Sequence, residues 1–285
     1  MSDICIMYDR VRWEEKELYE KAIKLGHTAK FIDAKTLEIS THDGNGSYNF
    51  GDIILQRCVS HYRGLYLTAC LEFLGSKVIN SYSVAEICGN KLLTSIYLSK
   101  YKIPTPKTHF AFGPDVASGV ADKVGYPIVL KPIVGSWGRM VTPVKDKDVM
   151  ESMIEMREEM PNPLSKIYYI QDYINRPPRD IRTIVIDDSL VTAIYRYSAE
   201  GEWRTNIARG GKAEVCPITE ELENICIKAS KAVGSGVLGV DLMEDEKEGL
   251  VVHEVNNTVE FKGASTVSTK DIAAEIINYA AKVAR

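Results

Sequence analysis

Residues 237–261, VLGVDLMEDEKEGLVVHEVNNTVEF, gather acidic and amide side chains at spacings that could bind a cation. Two apolar runs flank the charged turn Glu244–Gly249, the pattern of an antiparallel hairpin. With Met243 opposite Leu250, the two-residue repeat of a strand puts Asp241, Glu254 and Asn256 on one face and His253 on the other. Two carboxylates and an amide oxygen are hard ligands, suited to Mg²⁺ carried in on nucleotide phosphates rather than to zinc. The same residues could equally form the water-facing side of an edge hairpin, and a slip of one residue would scatter them. The metal reading therefore needs a phosphate site elsewhere in the chain.

YPIVLKPIVGSWGRMVTPV, residues 126–144, supplies a candidate. Two strand-like runs are joined by Gly135-Ser136-Trp137-Gly138-Arg139. Glycines at both ends let backbone N–H groups turn toward an anion, and Ser136 and Arg139 add donors. Lys131, in the preceding run, adds a cation. Trp137 at the loop tip can cap a substrate or lie on the surface.

Further on, IYYIQDYI, residues 167–174, runs into RPPRDIRTIVI. An extended segment containing Gln171, Asp172, Tyr173 and Ile174 can offer main-chain groups to an adenine edge, and Asp180 is close enough in sequence to accept from a ribose hydroxyl. An ordinary buried strand has the same periodicity. Arg182, Arg196 and Arg209, with Asn206, accompany the hairpin, and phosphoryl transfer needs cations where charge develops.

Strands alternate with helices at the start of the chain. Runs at residues 3–8, 29–33, 53–56 and 78–80 read as strands, and residues 14–25 and 65–74 as helices, which implies a parallel α/β layer of about ninety residues. No GxGxxG follows the first strand, so a dinucleotide-binding Rossmann site is not expected. Arg57, His61, Tyr62 and Arg63 follow a strand end, where α/β sheets bind ligands and where surface loops also lie. Residues 91–100, 219–233 and 271–283 read as helices, the second with Thr219 as N-cap and glutamates in its first turn. YKIPTPKT reads as a linker into a second domain.

At 285 residues the chain can hold two or three small domains. A net charge of −4 argues against a general nucleic-acid binder. The first residues carry no cleavage site or membrane span, so a cytoplasmic protein is expected. Six scattered cysteines without a CxxC pair read as free buried thiols. There is no P-loop and no kinase motif set, so any use of ATP must rest on another scaffold.

The order Lys91, Lys131 before a glycine loop, the segment 171–174, then Asp241, Glu254 and Asn256 resembles the ATP-grasp superfamily of carboxylate–amine ligases. DRVRWEEK, RCVSHYRGL, ICGNKLLTS, LKPIVGSWGR, RDIRTIVI, NIARGGKAE and EVNNTVEFK are similar to the LysX ligases of carrier-protein lysine biosynthesis, relatives of the RimK glutamate ligases. The resemblance spans nearly the whole chain. It implies an α/β (α+β) ATP-grasp fold of three domains: residues 1–90, a central subdomain 91–172 with the glycine-rich lid, and a C-terminal subdomain 173–285 with the Mg²⁺ site. ATP would lie between the last two.

The implied reaction joins the α-amino group of 2-aminoadipate to the γ-carboxyl of the C-terminal glutamate of the acidic carrier LysW, through an acyl phosphate. By motif position, Lys91 and Lys131 would contact phosphates, Ser136, Trp137, Gly138 and Arg139 would form the lid, and Gln171–Ile174 and Asp180 would hold adenine and ribose. Asp241, Glu254 and Asn256 would hold one or two Mg²⁺. Arg196, Asn206 and Arg209 would act on the transferred phosphoryl or the tetrahedral intermediate, and Arg182, Asn257 and Thr258 on the substrate. Asn257-Thr258 matches the aminoadipate version. Gly263-Ala264 departs from the asparagine of some LysX relatives, which keeps glutamate, the substrate of ArgX ligases in arginine biosynthesis, or dual use, open. The implied basic mouth for the carrier draws on Arg10, Arg12, Arg57, Arg63 and Lys262, and relatives suggest a homo-oligomer. The reading from another class is a nucleotide-binding regulator without turnover.

Overall fold

The computed structural model describes residues 1–42, 48–198, 205 and 212–285. In the first unit, β1 (Asp3–Tyr8) leads through α1 (Trp13–Lys24) to β2 (Thr28–Asp33), and β3 (Ile53–Gln56) through α2 (His61–Phe73) to β4 (Val78–Ile79). The strands form a parallel sheet in the order β2-β1-β3-β4. Both faces of β1 are covered, which is why it reads as an unbroken apolar run. Ile4 and Ile6 pack with Leu18 and Ala22 of α1, while Cys5 and Met7 pack with Leu71 of α2. The helix α2 starts at His61, ahead of its apolar stripe, so His61, Tyr62 and Arg63 form its first turn rather than a loop.

The chain then forms α3 (Tyr82–Gly89) and α4 (Lys91–Lys100). The side chain of Asn90 caps α4 by accepting from Leu92 N and Leu93 N, a contact worth about 1 kcal/mol in helices generally. Although α4 precedes the second sheet in sequence, it packs on the third unit.

A second unit holds β5 (Thr108–Ala111), α5 (Pro114–Val124), β6 (Ile128–Lys131), β7 (Thr142–Val144), α6 (Lys147–Glu159) and β8 (Tyr168–Asp172). Its antiparallel sheet runs β5-β8-β6-β7 and has its own core, in which Ile128, Leu130, Val144, Tyr168 and Ile170 pack on both helices.

The third unit contains β9 (Arg179–Ile186), β10 (Ser189–Tyr197), β11 (Lys212–Val215), α7 (Glu220–Val233), β12 (Val237–Asp245), β13 (Gly249–Asn256), α8 (Lys262–Ser265) and α9 (Ile272–Ala284). Its antiparallel sheet runs β11-β10-β9-β12-β13. One face buries Val185, Leu238, Val240 and Val252 under the apolar stripe of α7. The other face packs Ile184, Ile186 and Ile194 on α9, and the same cluster continues into Ile4, Ile6 and Ile53 of the first sheet. The terminal helix therefore joins the first and third units through one hydrophobic core.

Polar contacts reinforce that joint. Arg57 Nε donates to Glu15 Oε1 (3.2 Å) and its Nη2 to the Val259 carbonyl (2.9 Å), both groups being buried. Removing one partner of such a pair leaves an uncompensated buried charge, a loss of about 3–5 kcal/mol. Arg57 is thus spent inside the joint and is not free for a basic mouth. Arg12 is held by Glu15 and Glu260, and Arg63 by Asp9. Among the described residues, no helix is long and apolar enough to cross a membrane. The cysteines are free thiols, all buried except Cys70.

Candidate active site

The site begins with an irregularity in the last hairpin. From its turn the strands pair Asp245 with Gly249, Glu244 with Leu250, Met243 with Val251 and Leu242 with Val252, but the next pair is Asp241 with Glu254. His253 is the extra residue of a β-bulge. If the turn register continued, Asp241 would face His253 and Glu254 would point away. The bulge instead sets the two carboxylates directly opposite each other on one face. The expected pairing of Met243 with Leu250 is therefore corrected. So is the position of His253: it lines the same cleft as Asp241 and Glu254, because a bulge turns two successive side chains toward one side.

Across the sheet the charges alternate. Arg182 on β9 pairs in register with Asp241, its Nε 2.8 Å from Asp241 Oδ1. The absence of a side chain at Gly239 makes room for it, since a Cβ there would lie 2.6 Å from Arg182 Nη1. Arg196 on β10 faces Asp180 on β9 and donates two hydrogen bonds to it (2.7 and 2.8 Å), while its Nη2 stands 3.3 Å from Asp241 Oδ1. Thr205 also donates to Asp180. Lys91, the first residue of α4, gives 2.7 Å to Glu254 Oε1 and 2.9 Å to the Gly135 carbonyl. Lys91 thus joins the hairpin to the glycine loop.

These neighbours set the protonation states. Burial pushes the Glu254 carboxyl upward, but Lys91 and the other cations outweigh it and hold it at about 2. Burial raises Asp241 above the usual carboxylate range despite Arg182 and Arg196. Burial opposes ionisation of Asp180, yet Arg196 holds its pKa below the ordinary value. Burial and the nearby Lys131 lower His253 to about 3, so its ring is neutral at pH 7. Burial lowers Lys131 to about 8; its Nζ donates to Gln171 Oε1 at 2.6 Å, and Gln171 is itself held by Tyr169 and Thr108.

Two adjoining clefts meet at this row. The first, about 340 Å³, lies between the second and third sheets. It is lined by Lys91, Lys131, Ser136, Trp137, Gly138, Arg139, Gln171, Asp172, Tyr173, Ile174, Asp180 and Arg196, together with Asp241 and Glu254. Its apolar walls, Val129, Val141, Ile174 and Met243, suit a flat ring, and its cations suit phosphates. The second, about 250 Å³, lies between the first unit and the hairpin. It takes in Arg182, Asn256, Asn257 and Thr258, and shares Lys91, Asp241, Glu254 and residues 135–138 with the first. Trp137 and Gly138 have φ of 57° and 64°, so the loop tip is in the left-handed region, and the Arg139 guanidinium stacks 5.0 Å from the Trp137 ring. Asn206 and Arg209 lie outside the described residues.

The donor set fits a hard cation. Asp241 Oδ1 is buried without a hydrogen bond, its contact with Arg182 being an ion pair of unsuitable angle, and Glu254 faces it across the hairpin. Asn256 turns its Nδ2 toward Asp241 Oδ2 (3.2 Å), and a half-turn of the amide presents the oxygen. Among the described residues no group of three or more His, Cys, Asp or Glu is placed to hold a metal, so the amide is needed to complete the set.

Sequence reasoning missed His253, Arg176 and Thr205, all of which line the first cleft, and Gln56, Cys58 and Cys88, which line the second. The RPPR motif following the extended segment was a signal for Arg176. The bulge that brings in His253 leaves no such signal.

Comparison with known proteins agrees with this geometry. The RimK-like ATP-grasp domain family matches residues 88–280, and the LysX preATP-grasp domain family matches residues 4–87. The chain is 40% identical over 271 residues to the alpha-aminoadipate–LysW ligase LysX of Saccharolobus solfataricus, covering 95% of this chain and 98% of that one. It is 34% identical over 276 residues to the glutamate–LysW ligase ArgX of Sulfolobus acidocaldarius, covering 97% of each chain. Among solved structures, the RimK domain protein ATP-grasp from Sphaerobacter thermophilus superposes with a TM-score of 0.78 at 23% identity, over 98% of this chain and 99% of that one. Two facing sheets with a phosphate-sized cleft between them are the ATP-grasp arrangement, and its enzymes are ATP-dependent carboxylate–amine ligases. Within that class, the chain belongs to the RimK-like ATP-grasp family and carries the LysX preATP-grasp domain at its front.

Proposed function

We propose that the protein joins the α-amino group of 2-aminoadipate to the γ-carboxyl of the C-terminal glutamate of the carrier LysW, with ATP converted to ADP and phosphate. The observation that carries this reading is the meeting of the two clefts at Lys91, Asp241 and Glu254 beneath residues 135–138. One cleft suits a nucleotide, and the other leads substrates to the same reacting point.

A carboxylate does not acylate an amine at neutral pH without a better leaving group, so the carrier carboxylate first takes the γ-phosphoryl group and the amine then displaces phosphate. Lys131 and Lys91 bind and orient phosphate oxygens, and residues 136–139 close over them and exclude water. Gln171–Ile174 hold the adenine edge and Asp180 the ribose. Arg196, fixed by Asp180, stabilises charge that develops on the transferred group. Asp241, Glu254 and Asn256 would hold Mg²⁺, which would supply positive charge to offset that of the phosphate oxygens. Arg182, Asn257 and Thr258 face the amino-acid side. By motif position, Arg209 adds a further cation and Asn206 a neutral amide donor.

Glutamate is one methylene shorter than aminoadipate, a difference worth only about 1–3 kcal/mol in a pocket. The similarity to ArgX keeps glutamate as the second reading. The test mixes protein, Mg²⁺, ATP, carrier and each amino acid, and follows phosphate release and carrier mass. A carrier mass increased by aminoadipate supports the proposal. An increase with glutamate alone assigns the arginine branch, and no carrier-dependent phosphate with either supports a regulator that binds nucleotide without turnover.

A further inference from the structure

The second cleft contains a base that the reaction described so far does not use. His61, the first residue of α2, lines it together with Lys91, Glu254 and residues 134–138. The imidazole is seated on Gly89, the last residue of α3, where a Cβ would lie 1.9 Å from His61 Cε1 and 2.6 Å from Nδ1. It also tilts against the Tyr62 ring at 4.9 Å. Among the described residues neither ring nitrogen has a hydrogen-bond partner.

The other proton acceptors lining this cleft are engaged. Glu254 is paired with Lys91 at 2.7 Å, Asp241 with Arg182 at 2.8 Å, and Glu260 with Arg12 at 3.0 Å. Burial pushes the Cys58 thiol up to about 12 and raises Cys88 as well. His61 is shifted the other way, by burial and then by the charge of Lys91, and the positive end of α2 acts in the same sense. Its ring is therefore neutral at pH 7 and free to take a proton.

Resting on the ligase reading above, we propose that His61 is the catalytic residue that accepts the proton released by the attacking amine. The amine nitrogen forms a bond to the acyl carbon of the carrier's acyl phosphate and becomes a strongly acidic ammonium in the tetrahedral adduct. A ring nitrogen of His61 takes one proton from it. The C–O bond to the phosphoryl group then breaks, its electron pair leaves with phosphate, and the imidazolium returns its proton to water. Proton transfer by a positioned side chain contributes about 100- to 10,000-fold in enzymes generally.

The test separates acyl-phosphate formation from amine capture. Enzyme, Mg²⁺, ATP and carrier are supplied either with the amino acid or with hydroxylamine, a weakly basic nucleophile whose adduct sheds its proton readily to water. His61→Gln is expected to slow amino-acid-dependent turnover about 100-fold while carrier hydroxamate forms at close to the wild-type rate. The acid limb of the wild-type kcat–pH profile should vanish in the variant. Gly89→Ala, which displaces the ring without changing it, should give the same split between nucleophiles. Equal losses with both nucleophiles, an acid limb retained by His61→Gln, or unchanged amino-acid turnover would overturn the assignment. If the wild type forms no carrier hydroxamate, the ligase reading fails and the proton acceptor with it; if it does, only the role of His61 is in question.

Discussion

Asp241 and Glu254 face each other across the last hairpin because one residue between the paired strands, His253, has no partner. A single bulge therefore decides whether two oxygen ligands share a face, and it does so next to Lys91, which holds Glu254 from the other side.

Glu254→Gln keeps the volume and the register but removes the charge that Lys91 faces and one of two anionic ligands. Turnover with carrier and amino acid is expected to fall about 100-fold or more, the size of loss seen when a single charge-stabilising group is removed from an active site. Nucleotide binding, which draws on the whole first cleft, should survive. Steady-state ADP release and ADP titration calorimetry check the two halves, and near-normal turnover would contradict the metal assignment.

Lys131 gives a pH signature. Burial places its pKa at about 8, so raising the pH through that point removes the cation that the proposed function sets against a phosphate. Nucleotide affinity should hold up to pH 7.5 or so and weaken above about 8. In Lys131→Met that decline should disappear, with affinity lower at neutral pH by about tenfold, equivalent to 1.4 kcal/mol. The shift has a consequence for stability too. The unfolded chain keeps this proton to about 10.4, so between about 8 and that value it binds more protons than the folded chain. Stability of the wild type relative to the variant should therefore rise with pH across that window.

Asn80 joins the first unit to Val237 and Asn257 of the third. Its side chain accepts from Val237 N (2.8 Å) and donates to the Val237 and Asn257 carbonyls (2.8 and 2.7 Å). Gly236 is required beside it, since a Cβ there would stand 2.1 Å from Asn80 Oδ1. Asn80→Ala leaves buried backbone groups without partners and is expected to destabilise the fold by about 3 kcal/mol in urea titration. Because Asn257 lines the second cleft, the amino-acid KM should rise while the ATP KM stays near wild type. A loss of stability with both constants unchanged would limit Asn80 to holding the joint.

Much of the fold can be read from local pattern. The parallel sheet announces itself in apolar runs such as Ile4–Met7, buried on both faces. The helix α4 begins where the sequence places it because Asn90 caps it. Thr219 and Gly234 mark the ends of α7, one by its side-chain oxygen and the other by a φ of 114°. The start of α2 was harder to see: Ser60 supplies no side-chain cap, and His61–Arg63 do not belong to the apolar stripe.

The sequence by itself determined which chemical groups the site holds: carboxylates and an amide on one hairpin, a lysine before a glycine loop, arginines on the neighbouring strands. Residue type fixes charge and hardness, and spacing along a strand or loop fixes local neighbours. Tertiary structure alone decided which of these groups meet. Arg57 looked like a surface cation but is buried between Glu15 and Val259, because two units share one core there. His253 was expected on the far face and lies in the cleft, because strand register responds to long-range pairing. The junction of Lys91, Asp241 and Glu254 joins residues more than 140 positions apart in the chain; only the packing of α4 on the third sheet brings them together.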